Sequence, residues 1–267
     1  MLLRLLVCLC AFGAVAAAET LEQAVDRYVD STDAESRDFV KAAEGDASPW
    51  TTLKMGFGAT FTDGNSDTVT VSFTGNAVRE WGKWKLSLGA AAIYAESSGV
   101  QSASEWIFTE RLDRKLDDVS SIFQALYLEH DEQEKLRVRM RLTVGYTRRV
   151  ITKEKFWLEI DLGGGILYEE FRNPDVDDIE GIAQIGIRWE WQITDSLLYK
   201  QTIQIYPNLS DGGEFQLLWI SELSTPVSDR WVLVLTLIDT YDSKPPVGLE
   251  ENDIKVIIAL TVDFTKK

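Results

Sequence analysis

The segment Leu136-Arg137-Val138-Arg139-Met140-Arg141-Leu142-Thr143-Val144-Gly145-Tyr146 decides the fold. Leu136, Val138, Met140, Leu142, Val144 and Tyr146 fall on one side of an extended chain; Arg137, Arg139, Arg141, Thr143 and Gly145 fall on the other. Side chains alternate across a strand with period two, so the pattern predicts a β-strand with one greasy and one ionic face. The next stretch repeats it, with Phe156, Leu158, Ile160 and Leu162 opposing Trp157, Glu159 and Asp161. If the two strands are neighbours, the arginine row meets two carboxylates, and opposite charges across a strand pair stabilise it by about 0.2–1 kcal/mol. Ile185, Ile187, Trp189 and Trp191 against Gln184, Arg188, Glu190 and Gln192 continue the theme.

Outward from this segment, the same rhythm runs from Trp50 to Phe264. About twelve strand candidates follow: Trp50–Phe61, Val69–Glu80, Trp84–Ala95, Ser104–Leu112, Ser120–His130, Leu136–Arg149, Phe156–Glu169, Gly181–Thr194, Leu197–Tyr206, Glu214–Ser224, Trp231–Asp239 and Ile254–Phe264. Asp63-Gly64-Asn65, Ser97-Ser98-Gly99, Asn173-Pro174-Asp175, Asp211-Gly212-Gly213 and Pro245-Pro246 supply turns between them. Short links imply antiparallel up-and-down pairing, because parallel pairing needs long crossovers.

Period two leaves open which face is inside. A soluble barrel turns its apolar face inward; a membrane barrel turns it to lipid and encloses polar groups. Two features favour the second. Trp50, Trp81, Trp84, Trp157, Trp189, Trp191 and Trp231 gather near one set of strand ends, and Tyr94, Tyr127, Tyr168, Phe171, Tyr206 and Tyr241 near the other, as two interfacial belts would. Alternate connections, including Glu170–Glu180, are longer or more polar, whereas Trp81–Lys83 and Asp195-Ser196 are very short. The expectation is an all-β fold: an antiparallel up-and-down transmembrane β-barrel of about twelve strands over residues 50–267.

Residues 1–18 read as a cleaved secretory signal, with Arg4, an apolar run and Ala16-Ala17-Ala18 before Glu19. Both cysteines, Cys8 and Cys10, leave with it, so the mature chain has no disulfide and no thiolate chemistry. Loss of Arg4 takes the net charge from −16 to −17, a poor match for nucleic acid. Residues 19–49 carry Leu21, Ala24, Val25, Tyr28 and Val29 at helical spacing, a short periplasmic helical leader that is either solvated or a contact or plug element.

Gly58-Ala59-Thr60-Phe61-Thr62-Asp63-Gly64-Asn65-Ser66-Asp67-Thr68 resembles the first hairpin of the YdiY-like family of salt-induced outer-membrane proteins, with Gly64, Asn65, Ser66, Asp67 and Thr68 its most specific part. Trp84-Lys85-Leu86 leading to Tyr94, Asp113-Arg114, Tyr127 with Asp131, and Leu136-Arg137 with Gly145-Tyr146 extend the resemblance from about Trp50 onward. It implies a Gram-negative outer-membrane barrel of undefined activity and brings no catalytic residues.

Candidate chemistry is sparse. Arg137, Arg139, Arg141, Glu159, Asp161, Arg188 and Glu190 are expected to line the lumen, either as an anion-selecting stripe or as a structural charge ladder. Asp175, Asp177, Asp178 and Glu180 form an acidic outer loop that either holds a divalent cation or is simply solvated; Glu250, Glu251 and Asp253 form a second cluster. Trp50, Trp81, Trp84, Trp189, Trp191 and Trp231 are the expected aromatic girdle. The lone histidine, His130, excludes multi-histidine metal centres, and Ser120 and Ser121 lie at the far end of its strand, so a hydrolase is a third-rank option. Leu218, Ile220, Val232, Val234 and Ile238 make the tenth and eleventh strands apolar on both faces, which suggests an apolar ligand path, a leader docking site or plain packing. The expected partners are outer-membrane lipid, lipopolysaccharide, the barrel-assembly machinery and divalent cations at the outer loops, with no nucleic acid and no cofactor. The function expected is a non-enzymatic narrow pore or structural, stress-related envelope protein. The alternative is a soluble, lipocalin-like exported ligand binder.

Overall fold

The computed structural model describes residues 50–62, 68–97, 100–172, 175–210, 212–245 and 249–265. Twelve strands follow one another: β1 (Thr52–Thr62), β2 (Thr68–Trp81), β3 (Trp84–Ser97), β4 (Val100–Lys115), β5 (Ser120–Asp131), β6 (Leu136–Lys153), β7 (Phe156–Arg172), β8 (Asp175–Gln192), β9 (Leu198–Pro207), β10 (Phe215–Pro226), β11 (Trp231–Asp242) and β12 (Asn252–Asp263). Each pairs antiparallel with its sequence neighbours, and β1 pairs with β12 to close a barrel. The signal and leader expected before Trp50 lie outside the described residues, as do Gly64, Asn65, Ser66 and Asp67 of the first-hairpin motif, whose Thr68 begins β2.

Closure satisfies the backbone and leaves the side chains to sort by parity. The apolar parity points out: Phe57, Leu162, Ile185, Ile258 and Leu260 are exposed on the wall. The ionic parity points in: Glu129, Arg139, Arg141, Asp161 and Asp263 are buried. A soluble ligand-binding barrel would show the reverse, so the lipocalin-like alternative is corrected here. The outer face has polar exceptions that pair locally, such as Gln124 Nε2, which donates to Glu110 Oε2 at 2.9 Å.

The end carrying the tight connections is closed by hairpins such as Trp81-Gly82-Lys83-Trp84, where Gly82 takes φ of 50°, a left-handed conformation that suits glycine. Around this rim Trp50, Trp191 and Trp231 are exposed. Trp81 and Trp84 face each other across the hairpin on the outer wall, and Trp189 sits outward opposite Leu158. The six tryptophans expected as a girdle thus gather at one end, although Trp81 is itself shielded.

At the other end two expectations are corrected. Residues 175–180 are strand, because β7 and β8 run on past the neighbouring strands and pair through Arg172–Asp175. The acidic segment is therefore half of a tall hairpin, with Asp178 and Glu180 on its inner parity rather than on a loop tip. Tyr127, Phe171 and Tyr206, expected at an outer rim, are buried inside instead. There Tyr127 and Tyr206 join Leu167, Ile182, Leu218, Ile238, Ile257 and Ala259 in an apolar cluster at the middle of the barrel. Small barrels fill their interiors with side chains, and this one does so at mid-height.

Candidate functional site

The lumen is the candidate site, and its side chains bridge it at three levels. Nearest the tight-turn end, Asp161 of β7 is fully buried. It accepts from Arg188 Nε at 2.9 Å, from Arg111 Nη1 and Nη2 at 3.2 Å each, and from Thr147 Oγ1 at 2.6 Å. Gly186 stands opposite it; a Cβ there would sit 3.0 Å from Asp161 Cβ, so the glycine makes room for the carboxylate. Arg111 also forks onto Asp113 at 2.9–3.1 Å and lies 4.0 Å over the Phe123 ring. Glu159 takes Arg149 at 2.6 Å and Arg188 at 3.1 Å. Glu190 pairs with Lys200 at 3.7 Å rather than with an arginine. Below this layer a vestibule of about 630 Å³ opens toward the tight-turn end, lined by Glu80, Lys85, Asp113, Arg149, Glu159 and Arg188 among others.

At mid-height Arg141 crosses from β6 to β10. Its Nε and Nη2 donate to Gln216 Oε1 at 3.0 and 2.6 Å, and its guanidinium lies 4.7 Å from the Tyr127 ring and 4.9 Å from the Tyr206 ring. Gln216 passes the connection on to Glu169 and Asp242, at 3.1 Å each. Tyr127 Oη, Arg141 Nη1 and both amide atoms of Gln184 are buried here with no hydrogen-bond partner among the described residues. Buried polar groups are nearly always paired, and a bound water is the usual partner of such atoms. Arg139, one inner position away from Arg141, is clamped between Glu129 at 2.8 Å and Glu169.

At the third level Lys255 of β12 reaches Glu105 at 2.7 Å, Asp253 at 2.9 Å and Asp131 at 3.3 Å. These three carboxylates have oxygens within 4.8 Å of one another, a spacing that suits a cation. The Lys255 ammonium stands in the place a metal ion would take. Above it, on the β5–β6 connection, Glu134 lies 3.8 Å from Arg139. Burial pushes its carboxyl up to about 7 against the opposing pull of Arg139, with Glu129 and Asp131 adding to the rise.

The expected lumen residues divide. Arg139, Arg141, Glu159, Asp161, Arg188 and Glu190 face in. Arg137 does not: β6 bulges between Leu136 and Val138, which flips parity, so Leu136 is fully buried and Arg137 lies on the outer wall against Glu170. The pairing also differs from the expected ladder. The β6–β7 register sets Arg139 opposite Glu169 and Arg149 opposite Glu159, so the arginine row meets the far half of β7. Sequence reasoning missed Arg111, Glu129, Glu169, Gln216 and Lys255. The signal for Arg111 was its shared parity with Asp113 and Glu105; Gln216 had none, because its partner comes from a strand four away. Among the described residues Asp178 Oδ1 accepts from the amide of Ile179 next to it, and the backbones of Asp175 and Asp177 lie in β8. His130 points outward, stacked on Trp106 with centroids 6.1 Å apart, and its Nδ1 lies 3.0 Å from the Arg137 carbonyl oxygen. Ser120 and Ser121 sit at the opposite end of β5, so this strand brings no nucleophile to the histidine.

A family model described as "Protein of unknown function, DUF481" matches residues 55–264. Among curated proteins none matches this chain. Solved structures similar to it include the NanC porin (9% identity, TM-score 0.44, covering 80% of this chain and 99% of that one) and the KdgM porin (9%, 0.41, 80% and 98%). The translocator domain of autotransporter NalP from Neisseria meningitidis is similar at 10% identity and a TM-score of 0.41, covering 89% of this chain and 97% of that one.

Proposed function

The chain belongs to the DUF481 family of proteins of unknown function, and from that premise we propose that it is an outer-membrane β-barrel acting as a narrow, normally closed pore. The observation that carries this is the inverted burial: an apolar wall around an ion-paired interior, with seven of the nine tryptophans near one set of strand ends and Trp106 and Trp219 apart from them. Only a closed sheet satisfies its backbone in lipid, and strands of this length cross a hydrocarbon layer when tilted. The lumen is blocked at mid-height by Arg141, its two tyrosines and Gln216, while a polar vestibule lies below. Partnerless polar groups at the block support passage of water or a small polar solute once Arg141 moves. Export by a signal at residues 1–18, a periplasmic leader at 19–49, contact with lipopolysaccharide and the barrel-assembly machinery, and kinship with the YdiY-like, salt-induced proteins complete the proposal.

Planar-bilayer recording on refolded protein tests it. Wild type is expected to give rare, small current steps, and Arg141→Ala to raise open time or step size several-fold. Silence of both across pH and salt would overturn the pore and leave a structural envelope role. Retention in the membrane fraction under carbonate checks the location separately.

A further inference from the structure

The outer wall is not apolar throughout. Leu88, Glu110 and Leu126 stand side by side on β3, β4 and β5. Their parity is that of Tyr94, Trp106 and Ile122, which are exposed on the outer wall. Glu110 therefore points out. It lies four positions along β4 from Arg114, which faces the rim residue Trp84, and six from Ser104, which faces Tyr94. At a rise of about 3.3 Å per residue, that is roughly 13 Å along a tilted strand from the tryptophan end. A carboxyl group in the hydrocarbon zone is costly, and such groups almost always face protein or water rather than lipid.

Its partner is Gln124 of β5, whose Nε2 donates to Glu110 Oε2 at 2.9 Å; among the described residues neither side chain has another polar partner. This leaves Glu110 Oε1 as an acceptor, and on Gln124 a second N–H and the amide oxygen. Hydrocarbon satisfies none of them. Other outward polar groups differ. Gln201 is 2% exposed and closes on Tyr199, Ser221 and the Ile220 carbonyl oxygen. Arg137 with Glu170, and Asp239, lie within three residues of the outer strand ends. Only the Glu110–Gln124 pair, among these, combines a mid-wall position with polar atoms left over.

We propose that this face, β3–β5 around Glu110, joins two copies of the chain within the membrane. The proposal rests on the outer-membrane placement above and not on conduction. All copies insert the same way up, so two of them meet by rotation about the membrane normal. That rotation sets the Glu110 side of each pair against the Gln124 side of the other. The second Gln124 N–H of each copy then meets the free Glu110 oxygen of the other; a protonated Glu110 donates to the facing Gln124 oxygen instead, so the match holds in either charge state. The pair is its own complement, which argues for a second copy over an unrelated protein. Around it Leu112, Leu126 and Val144 supply apolar contact. On the β2–β3 side Ala77, Ala90 and Ala92 keep the wall low, and small residues let two membrane segments approach closely.

Energy transfer between copies tests this. Full-length protein is labelled at its amino end with a donor or an acceptor dye, and the two are inserted together in phospholipid vesicles over a range of protein-to-lipid ratios. Transfer that saturates, and reverses on dilution with lipid, is expected. Glu110→Leu and Gln124→Leu should each weaken association at least tenfold; both place an apolar side chain on the outer wall, so either serves if the other folds poorly. In a chain carrying Cys8→Ala and Cys10→Ala, Leu126→Cys should cross-link two copies, whereas Leu235→Cys, on β11 across the barrel, should not. Inserted wild type that stays monomeric at every ratio overturns the inference, whether lipid or another protein covers the face. So does association unchanged in both leucine variants, or cross-linking at Leu235 as strong as at Leu126. Failure to insert, read by protease protection, instead overturns the membrane placement on which the inference stands.

Discussion

Asp161→Asn is the sharpest test of the lumenal charge network. The wild-type carboxylate has no exposed surface and accepts bonds from Arg111, Arg188 and Thr147. The amide keeps the shape and removes the charge, so two guanidinium groups lose the anion between them. Removing one partner of a buried ion pair costs about 3–5 kcal/mol, because the remaining charge is stranded. Here Arg111 and Arg188 keep side-chain exposures of 12% and 19% and retain Asp113 and Glu159, which argues for the lower end, about 3 kcal/mol. Urea unfolding of the refolded barrel, followed by tryptophan fluorescence and gel mobility, measures the loss. If stranded charge is the cause, adding Arg188→Gln to Asp161→Asn recovers at least about 1 kcal/mol, since the double variant buries one cation fewer. A single-variant loss below about 1 kcal/mol, or no recovery in the double, would refute the reasoning.

Four further outcomes are expected. Arg139→Ala should cost about 3 kcal/mol or more in the same unfolding assay, because Glu129 and Glu169 lose their clamp, whereas Arg137→Ala, on an exposed pair with Glu170, should cost less than about 1 kcal/mol. Leu162→Arg places a charge on the outer wall where Leu162 is 55% exposed; in lipid bilayers it should cost about 2–4 kcal/mol, but in aqueous solution an exposed site would scarcely respond. Gly165→Ala would set a Cβ within 1.9 Å of the Leu142 carbonyl oxygen, so β6 and β7 must shift; a loss of about 1–3 kcal/mol or failed refolding is expected by gel mobility. Glu134 has a folded pKa near 7, above its unfolded value of 4.5, so the folded state binds the extra proton and stability falls as pH rises from about 4.5 to 7. Glu134→Gln should therefore match wild type near pH 4 and exceed it near pH 8 in thermal unfolding; an advantage that shrank with rising pH would contradict this.

The sequence by itself determined the architecture. Alternation is a local property, written residue by residue in stretches such as Val138–Tyr146 and Phe156–Leu162, and twelve such stretches with short links leave little but an antiparallel barrel. The gathering of tryptophan at one set of strand ends was equally legible, because it depends only on where each strand starts. Tertiary structure alone decided who meets whom. One inserted residue at the β6 bulge moved Arg137 to the outer wall, and no local pattern marks that insertion. Register set Arg139 against Glu169, and the curvature of the closed sheet brought Arg141 to Gln216 and Lys255 to Glu105 across the lumen. The filling of the mid-lumen by Tyr127 and Tyr206, and the four-residue seam between β1 and β12, likewise follow from closure. Parity says which way a side chain points; only the closed sheet says what stands opposite, because contact across a barrel depends on the distance between strands far apart in sequence.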